Sequence, residues 1–203
     1  LDKYKHLGIL TCCKETDNGN LVYFEASIER CKQIYPKLWI DFDTTFIDKL
    51  PLVYDDGINA ADDNPTNDKN PEKFYNSWLH IVTETYAHNG QTFFSEKVFK
   101  PMIYWQPFIL IGAQHDLQAL RNLGYKTFDG IIDESYDKVF DNQERLLTAF
   151  QEIERIIKMD NKEIQNLYAE CHDILVHNFY HWVYRQSTIH IDLRKDLLEA
   201  LYG

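Results

Sequence analysis

The chain has 203 residues, so a single domain, or one domain with an appendage, is the starting expectation. It is 44% hydrophobic, 26% charged and 14% aromatic, which excludes a disordered chain and leaves enough apolar surface for a sizeable core. Twenty-one Lys plus Arg stand against 32 Asp plus Glu, a formal net charge of −11, which argues against a general binder of nucleic-acid backbone.

At the start of the chain, Leu1-Asp2-Lys3-Tyr4-Lys5 has neither Met nor the apolar stretch of a signal peptide, so the sequence reads as a fragment or a trimmed chain. No apolar run approaches the ~20 residues that span a bilayer. The four cysteines are Cys12, Cys13, Cys31 and Cys171. Cys12 and Cys13 are vicinal, an awkward geometry for a mutual disulfide and unlike metal or redox spacing. Asn64-Pro65-Thr66 is excluded as a glycosylation acceptor by its proline. Reduced, structural cysteines and a cytoplasmic compartment follow as expectations.

Residues 1–54 form an N-terminal α/β segment whose topology the pattern does not fix. Leu7–Cys13 reads as a short buried strand, Tyr35–Phe46 alternates enough for another, and Ala26–Ile34 has a helical stripe in Ile28, Cys31 and Ile34. An acidic loop covers 55–75. Its DDGINAADDNPTNDKNPE run favours turns, and it lacks the D-x-D-x-D-G and terminal Glu of a calcium loop, so a solvated loop is expected.

The remainder, 76–203, carries the clearer pattern. Trp78–Thr85 has the β-branched enrichment of a strand, and a polar turn follows at His88-Asn89-Gly90-Gln91. Ser95 is placed to cap a short helix beginning Glu96-Lys97, which must kink or restart at Pro101. Pro107–Gly112 is an apolar run ending in glycine, as in a strand buried on both faces. Asp116–Asn122 is helical with Leu117, Leu120 and the nearby Leu123 as its stripe, and Gly124 stops it before a further strand at Tyr125–Phe128. Strand, helix, strand, helix, strand implies βαβ units and a parallel sheet, hence an α/β fold.

The C-terminal region is helical. Asn142–Met159 places Leu146, Phe150, Ile153 and Ile157 on one face, and Asp160 with Glu163 predicts a capping box. The helix after it carries Ile164, Leu167, Cys171, Ile174 and Leu175 inward. Asn178-Phe179-Tyr180 reads as its end, and a final helix is expected near Asp192–Leu201.

Ligands of an open parallel sheet bind beyond the carboxyl ends of its strands. There, Ser95-Glu96-Lys97 would offer backbone N–H groups and a point charge to a diphosphate, with the Glu96 carboxylate for ribose hydroxyls. A capped turn with an ordinary solvated Glu and Lys is the alternative. Glu84, at the end of the first strand, is a candidate base or sugar contact, or else a buried Glu satisfied by loop N–H groups. His88 could meet a phosphate or simply be exposed. Asp173, His177 and His181 recur every four residues and could ligate a metal on one helix face, although no further ligand is evident and no metal is expected. Cys171, inside an apolar stripe, reads as a core residue with a raised pKa. No G-x-S-x-G, P-loop or G-x-G-x-x-G occurs.

The stretch from Trp78 to Asp137, with Ser95-Glu96-Lys97 followed by Gln106-Pro107-Phe108-Ile109-Leu110-Ile111-Gly112, resembles the donor-binding half of GT-B-type glycosyltransferases. It is similar to the fucosyltransferase and exostosin-like groups. It is closer still to a group of uncharacterised glycosyltransferase-like proteins of viruses and microbes, through Leu50–Gly57, Leu123–Asp129 and Asp133–Asp137. The likeness runs with gaps from residue 50 to 180. It implies a Rossmann-like parallel sheet flanked by helices, one half of a GT-B fold, and glycosyl transfer from a nucleotide-diphosphate sugar to a glycan or protein hydroxyl acceptor. By the same resemblance Glu96 takes the donor ribose and Lys97 the donor phosphate, with Ser95, His88 and Gly112 lining the donor site. No metal or other cofactor is required in this reading. The family's other half, with its basic N-R-x-x-R-H-R-like segment, is absent from these residues, so a non-catalytic nucleotide-sugar-binding or interaction module is the alternative.

Overall fold

A computed structural model describes residues 21–40, 72–84 and 91–202. Helix α1 spans Leu21–Ile34 and is followed by a 3-10 turn at Pro36–Trp39, and α2 is a single turn at Glu72–Tyr75. Strand β1 (His80–Thr83) leads through a 3-10 turn at Glu96–Val98 into α3 (Phe99–Ile103), strand β2 (Phe108–Ile111) and α4 (Asp116–Asn122). A further 3-10 turn at Ser135–Lys138 precedes α5 (Asn142–Ile157) and α6 (Asn161–Tyr202).

β1 and β2 pair in parallel, with His80 opposite Phe108 and Thr83 opposite Ile111. Backbone bonds from His80 N–H to Pro107 O and from Glu84 N–H to Ile111 O, both 2.9 Å, extend the ladder past each end. All four β2 side chains are buried, as the continuous apolar run requires, whereas β1 buries Val82 and exposes Ile81. The chain is therefore a mixed α/β protein, predominantly helical, with a two-stranded parallel sheet among the described residues.

The core gathers β2 with Val98 and Met102 beside the crossover, Leu117 and Leu120 of α4, Ile153 and Ile156 of α5, and Leu167, Cys171 and Leu175 of α6. Each such aliphatic side chain removed from water stabilises the fold by about 1.5–3 kcal/mol. Gln106 locks the preceding segment to the sheet. Its amide N–H groups donate to Phe74 O at 2.9 Å and to Ser77 O at 2.8 Å.

Local rules are obeyed closely at the helix ends. Ser95 caps its turn, its Oγ accepting from Lys97 N–H. Asp160 and Glu163 form the reciprocal capping box, Asp160 Oδ1 accepting from Glu163 N–H at 2.9 Å and Glu163 Oε2 from Asp160 N–H at 2.8 Å. α4 closes with Gly124 at φ +91°. Gly124 N–H reaches Arg121 O and Tyr125 N–H reaches Leu120 O, the paired bonds of a Schellman stop. The helix does not restart at Pro101: geometry changes from 3-10 to α at Val98–Phe99, and Pro101 falls third in α3.

Four further expectations are corrected. Tyr35–Trp39 is a 3-10 turn begun by Pro36, not the start of a strand. Tyr125–Phe128 is not a strand: its backbone groups are taken by side chains instead of a neighbouring ladder. Lys126 N–H and C=O pair with Asn178, and Phe128 N–H donates to Glu134. On α5, Ile153 is buried and Leu146 and Ile157 pack against the core as expected, but Phe150 is exposed, and the buried face widens to take in Arg145, Ala149, Glu152 and Ile156. Arg145 and Glu152 tolerate burial because each is saturated with hydrogen bonds. Finally, no helix ends at Asn178–Tyr180. With neither Gly nor Pro between 161 and 202, α6 runs through all 42 residues, about 63 Å at 1.5 Å per residue. The expected strand at Leu7–Cys13 and most of the acidic loop lie outside the described residues.

Among the described residues no helix is long and apolar enough to cross a membrane. Cys31 and Cys171 are free thiols. Burial pushes the Cys171 thiol up to about 12, as its place in an apolar stripe foretold.

Candidate functional site

At the carboxyl edge of the strand pair, Glu84 is buried one residue beyond β1. Ser95 N–H donates to both of its carboxylate oxygens at 3.2 Å, and the Ser95 hydroxyl donates to Oε2 at 2.7 Å. The same hydroxyl oxygen accepts from Lys97 N–H at 3.3 Å. This relay ties the Glu96–Lys97 turn to the end of β1 and leaves both side chains partly exposed at the sheet rim. It also occupies two of the amides that a free helix end would present to an anion. In this geometry Glu84 is the group that positions the turn.

Gly112 ends β2 on the same edge. A Cβ there would stand 2.3 Å from Asp116 Oδ2, so only glycine admits the Asp116 carboxylate. That oxygen accepts from Ala113 N–H at 2.7 Å, while Asp116 Oδ1 is buried without a hydrogen-bond partner. Burial, with Asp137 and Glu84 nearby, pushes the Asp116 carboxyl up to about 6, against the pull of Ala113 N–H and Thr92. Across the Gly112 carbonyl lies Arg145, whose Nε donates to it at 3.1 Å while Nη1 donates to Val139 O at 2.9 Å. Its Nη2 donates to Asn142 Oδ1.

The motif residues Leu123–Asp129 and Asp133–Asp137 acquire definite roles here. Asp137 supplies α4 with its missing cap, its carboxylate accepting from Leu117 N–H at 3.0 Å and Gln118 N–H at 3.3 Å. His115, in the left-handed region at φ +69°, occupies the cap position itself and makes no side-chain cap bond. Glu134 accepts from Phe128 N–H, from the Thr127 hydroxyl at 2.7 Å and from Arg121 Nη1 at 3.0 Å. Burial raises its pKa, opposed by Thr127, Phe128 N–H and Arg121. These carboxylates were missed as site-shaping residues. Their only sequence signal was membership of a short motif, because their partners lie outside any local period.

Of the expected site residues, Glu84, Ser95, Glu96 and Lys97 come together at the rim, and Gly112 adjoins them across the Ile111–Glu84 backbone bond. His88 lies outside the described residues. The Asp173–His177–His181 trio does not converge. His177 Nε2 bonds Gly124 O and His181 Nε2 bonds Leu123 O, both at 2.8 Å, so both rings serve the carbonyl end of α4. Asp173 pairs instead with His172 at 3.2 Å. Among the described residues no group of three His, Cys, Asp or Glu is arranged to hold a metal ion.

On the other side of Arg145, a cleft of about 280 Å³ opens between the end of α1 and the start of α5. It is lined by Ile34, Tyr35, Phe140, Asp141, Asn142 and Gln143. No protein-family model, curated protein or solved structure matches the chain.

Proposed function

We propose that this chain binds a nucleotide-diphosphate sugar at the carboxyl edge of the β1–β2 pair and serves glycosyl transfer to a hydroxyl acceptor. The observation that carries the reading is the Glu84–Ser95 relay, which fixes an adjacent acid and base at the rim of a parallel strand pair joined by a crossover. Lys97 would meet the diphosphate as a point charge, stabilising the leaving group as the glycosidic bond breaks, and Glu96 would accept from ribose hydroxyls. Both assignments, and the Rossmann-like GT-B framework around them, come from the resemblance in Trp78–Asp137.

The second reading, a binding module without catalysis of its own, is favoured by one observation. The Glu84 carboxylate already takes three hydrogen bonds from Ser95 and is 7% exposed, which suits a positioning group better than a base. Calorimetry with uridine and guanosine diphosphates, paired with a donor-hydrolysis assay, separates the readings. Binding with turnover supports transfer, and binding without turnover supports the module. Lys97→Ala is expected to weaken diphosphate binding by about tenfold or more, a loss of ~1.4 kcal/mol. Unchanged binding in both Lys97→Ala and Glu96→Ala would remove the site from this rim.

A further inference from the structure

We infer that Asp116 is a latch worked by a proton: protonated, its carboxyl lets the segment 91–95 lie closed against the rim of the sheet, and ionised, it loosens that segment and the Glu84–Ser95 relay behind it. The geometry around the group carries this. Asp116 opens α4, is 1% exposed, and lies against Gly112, where a Cβ would displace it. Its Oδ2 accepts from Ala113 N–H at 2.7 Å, and its Oδ1 is buried with no hydrogen-bond partner among the described residues. A carboxylate has room for about four hydrogen bonds, so the charged form is badly served here, out of reach of water. The neutral acid asks for far less.

The charges facing it come from each element packed around it. Glu84 approaches from the end of β1 and Asp137 from the 3-10 turn, and both carboxylates oppose a further negative charge. Neither turns away easily, because Ser95 holds Glu84 and the Leu117 and Gln118 amides hold Asp137. Arg145 of α5 attracts the charge, but its guanidinium donates to the carbonyls of Gly112, Val139 and Phe140 and to Asn142. Thr92 faces the carboxyl from the segment 91–95, and His115, the residue before Asp116, is exposed. Burial first, and then Asp137 and Glu84, push the carboxyl up to about 6.

When the proton passes to water, the remaining charge is relieved through the weakest wall. Towards α4 and β2 the wall is core, with Leu117 and Leu110 buried. Residues 91–94 have no regular secondary structure, and 91–93 are exposed, so moving them admits water to Oδ1 at the smallest loss of packing. Ser95 is next in the chain, and its N–H and hydroxyl are the groups that hold Glu84. A displaced segment therefore pulls on the relay, and the proton on Asp116 is linked to the order of the Glu96–Lys97 turn. This linkage goes beyond the nucleotide reading and does not depend on it.

Amide hydrogen exchange of the intact chain by NMR, corrected for the intrinsic rate at each pH, tests the latch. Opening at Ser95 and Ala113 should rise about tenfold between about pH 5 and about pH 7, following the loss of one proton. That opening should be insensitive to dilute urea. The amide of Leu175, buried in the middle of α6, should exchange more slowly and with the urea dependence of global unfolding. Asp116→Asn should make the opening at Ser95 and Ala113 equal at both pH values. Where that variant does not fold, the carboxyl resonance of Asp116 in the wild type takes its place, and its titration midpoint should coincide with that of the Ser95 opening. A flat profile in the wild type, an unchanged profile in Asp116→Asn, midpoints that do not coincide, or a urea dependence at Ser95 equal to that at Leu175 overturns the inference. Diphosphate binding is not part of the readout, so the latch and the nucleotide reading stand or fall separately.

Discussion

The side-chain amide of Asn178, 1% exposed, pairs with both backbone groups of Lys126: Oδ1 accepts from its N–H and Nδ2 donates to its carbonyl, each at 2.8 Å. One side chain of α6 thus does what a neighbouring strand would do, and the chain at Tyr125–Phe128 runs without a ladder. Asn178→Ala should destabilise the protein by about 2–4 kcal/mol, because two backbone groups lose their partners in a largely dehydrated seam. Asn178→Asp, which keeps the acceptor and loses the donor, should recover only part. Urea unfolding of the three proteins measures this, and an alanine variant as stable as the wild type would contradict the pairing.

Gly112 and Asp116 set a second expectation. The Asp116 carboxylate cannot retreat from an introduced methyl group, because Oδ2 is held by Ala113 N–H at 2.7 Å. Gly112→Ala should therefore cost about 1–3 kcal/mol by overpacking. The same substitution placed on an Asp116→Ala background should cost much less, so the double-mutant cycle should show clear coupling. Additive effects would mean that the clash is relieved elsewhere.

The Asp116 carboxyl also sets a pH dependence. Its ordinary value is 3.8 and burial raises it to about 6, so between those values the folded chain binds more protons than the unfolded one. Stability from this group is present below about 4 and is lost as pH rises through about 6. Asp116→Asn removes the titration and can keep the bond from Ala113 N–H. Relative to the wild type, the variant should gain about 2–3 kcal/mol between pH 4 and pH 7. Denaturant midpoints for both proteins across that range decide it, and parallel curves would refute the assignment. Asp133, whose pKa is lowered by Ser135, contributes with the opposite sign, but to both proteins alike.

Glu84 should separate positioning from direct contact. Glu84→Gln replaces one carboxylate oxygen with an NH2 that cannot accept from Ser95 N–H or its hydroxyl proton, so the Ser95–Lys97 turn should loosen. Diphosphate affinity is expected to fall by about three- to tenfold, with the residual binding still sensitive to Lys97→Ala. Hydrogen exchange of the Ser95 and Lys97 amides should quicken in the variant. Unchanged exchange would show that the turn is held by something other than the carboxylate.

Much of the local structure was legible in advance because its causes are local. The cap at Ser95, the box at Asp160 and Glu163, the stop at Gly124 and the limits of α4 each depend on partners within a few residues. The placement of Glu84 and Ser95 on one rim was also legible, since strand ends and helix starts meet there in a parallel pair. The fate of the two histidines was not. Spacing put His177 and His181 on one face, but only the packing of α6 beside α4 set carbonyls opposite them.

The amino-acid order by itself determined the caps at Ser95 and Asp160, the limits of α4, which strand is buried on both faces, and the acidic balance of the whole. Hydrogen bonds across three or four residues and short periods of apolarity suffice for that. Folding alone decided that Asn178 replaces a strand, that Glu134 and Asp137 brace the turns around Arg121, and that Arg145 links the sheet rim to a cleft. Those partners lie far apart along the chain, and a buried polar group is satisfied by whatever the packing brings near it rather than by its neighbours in sequence.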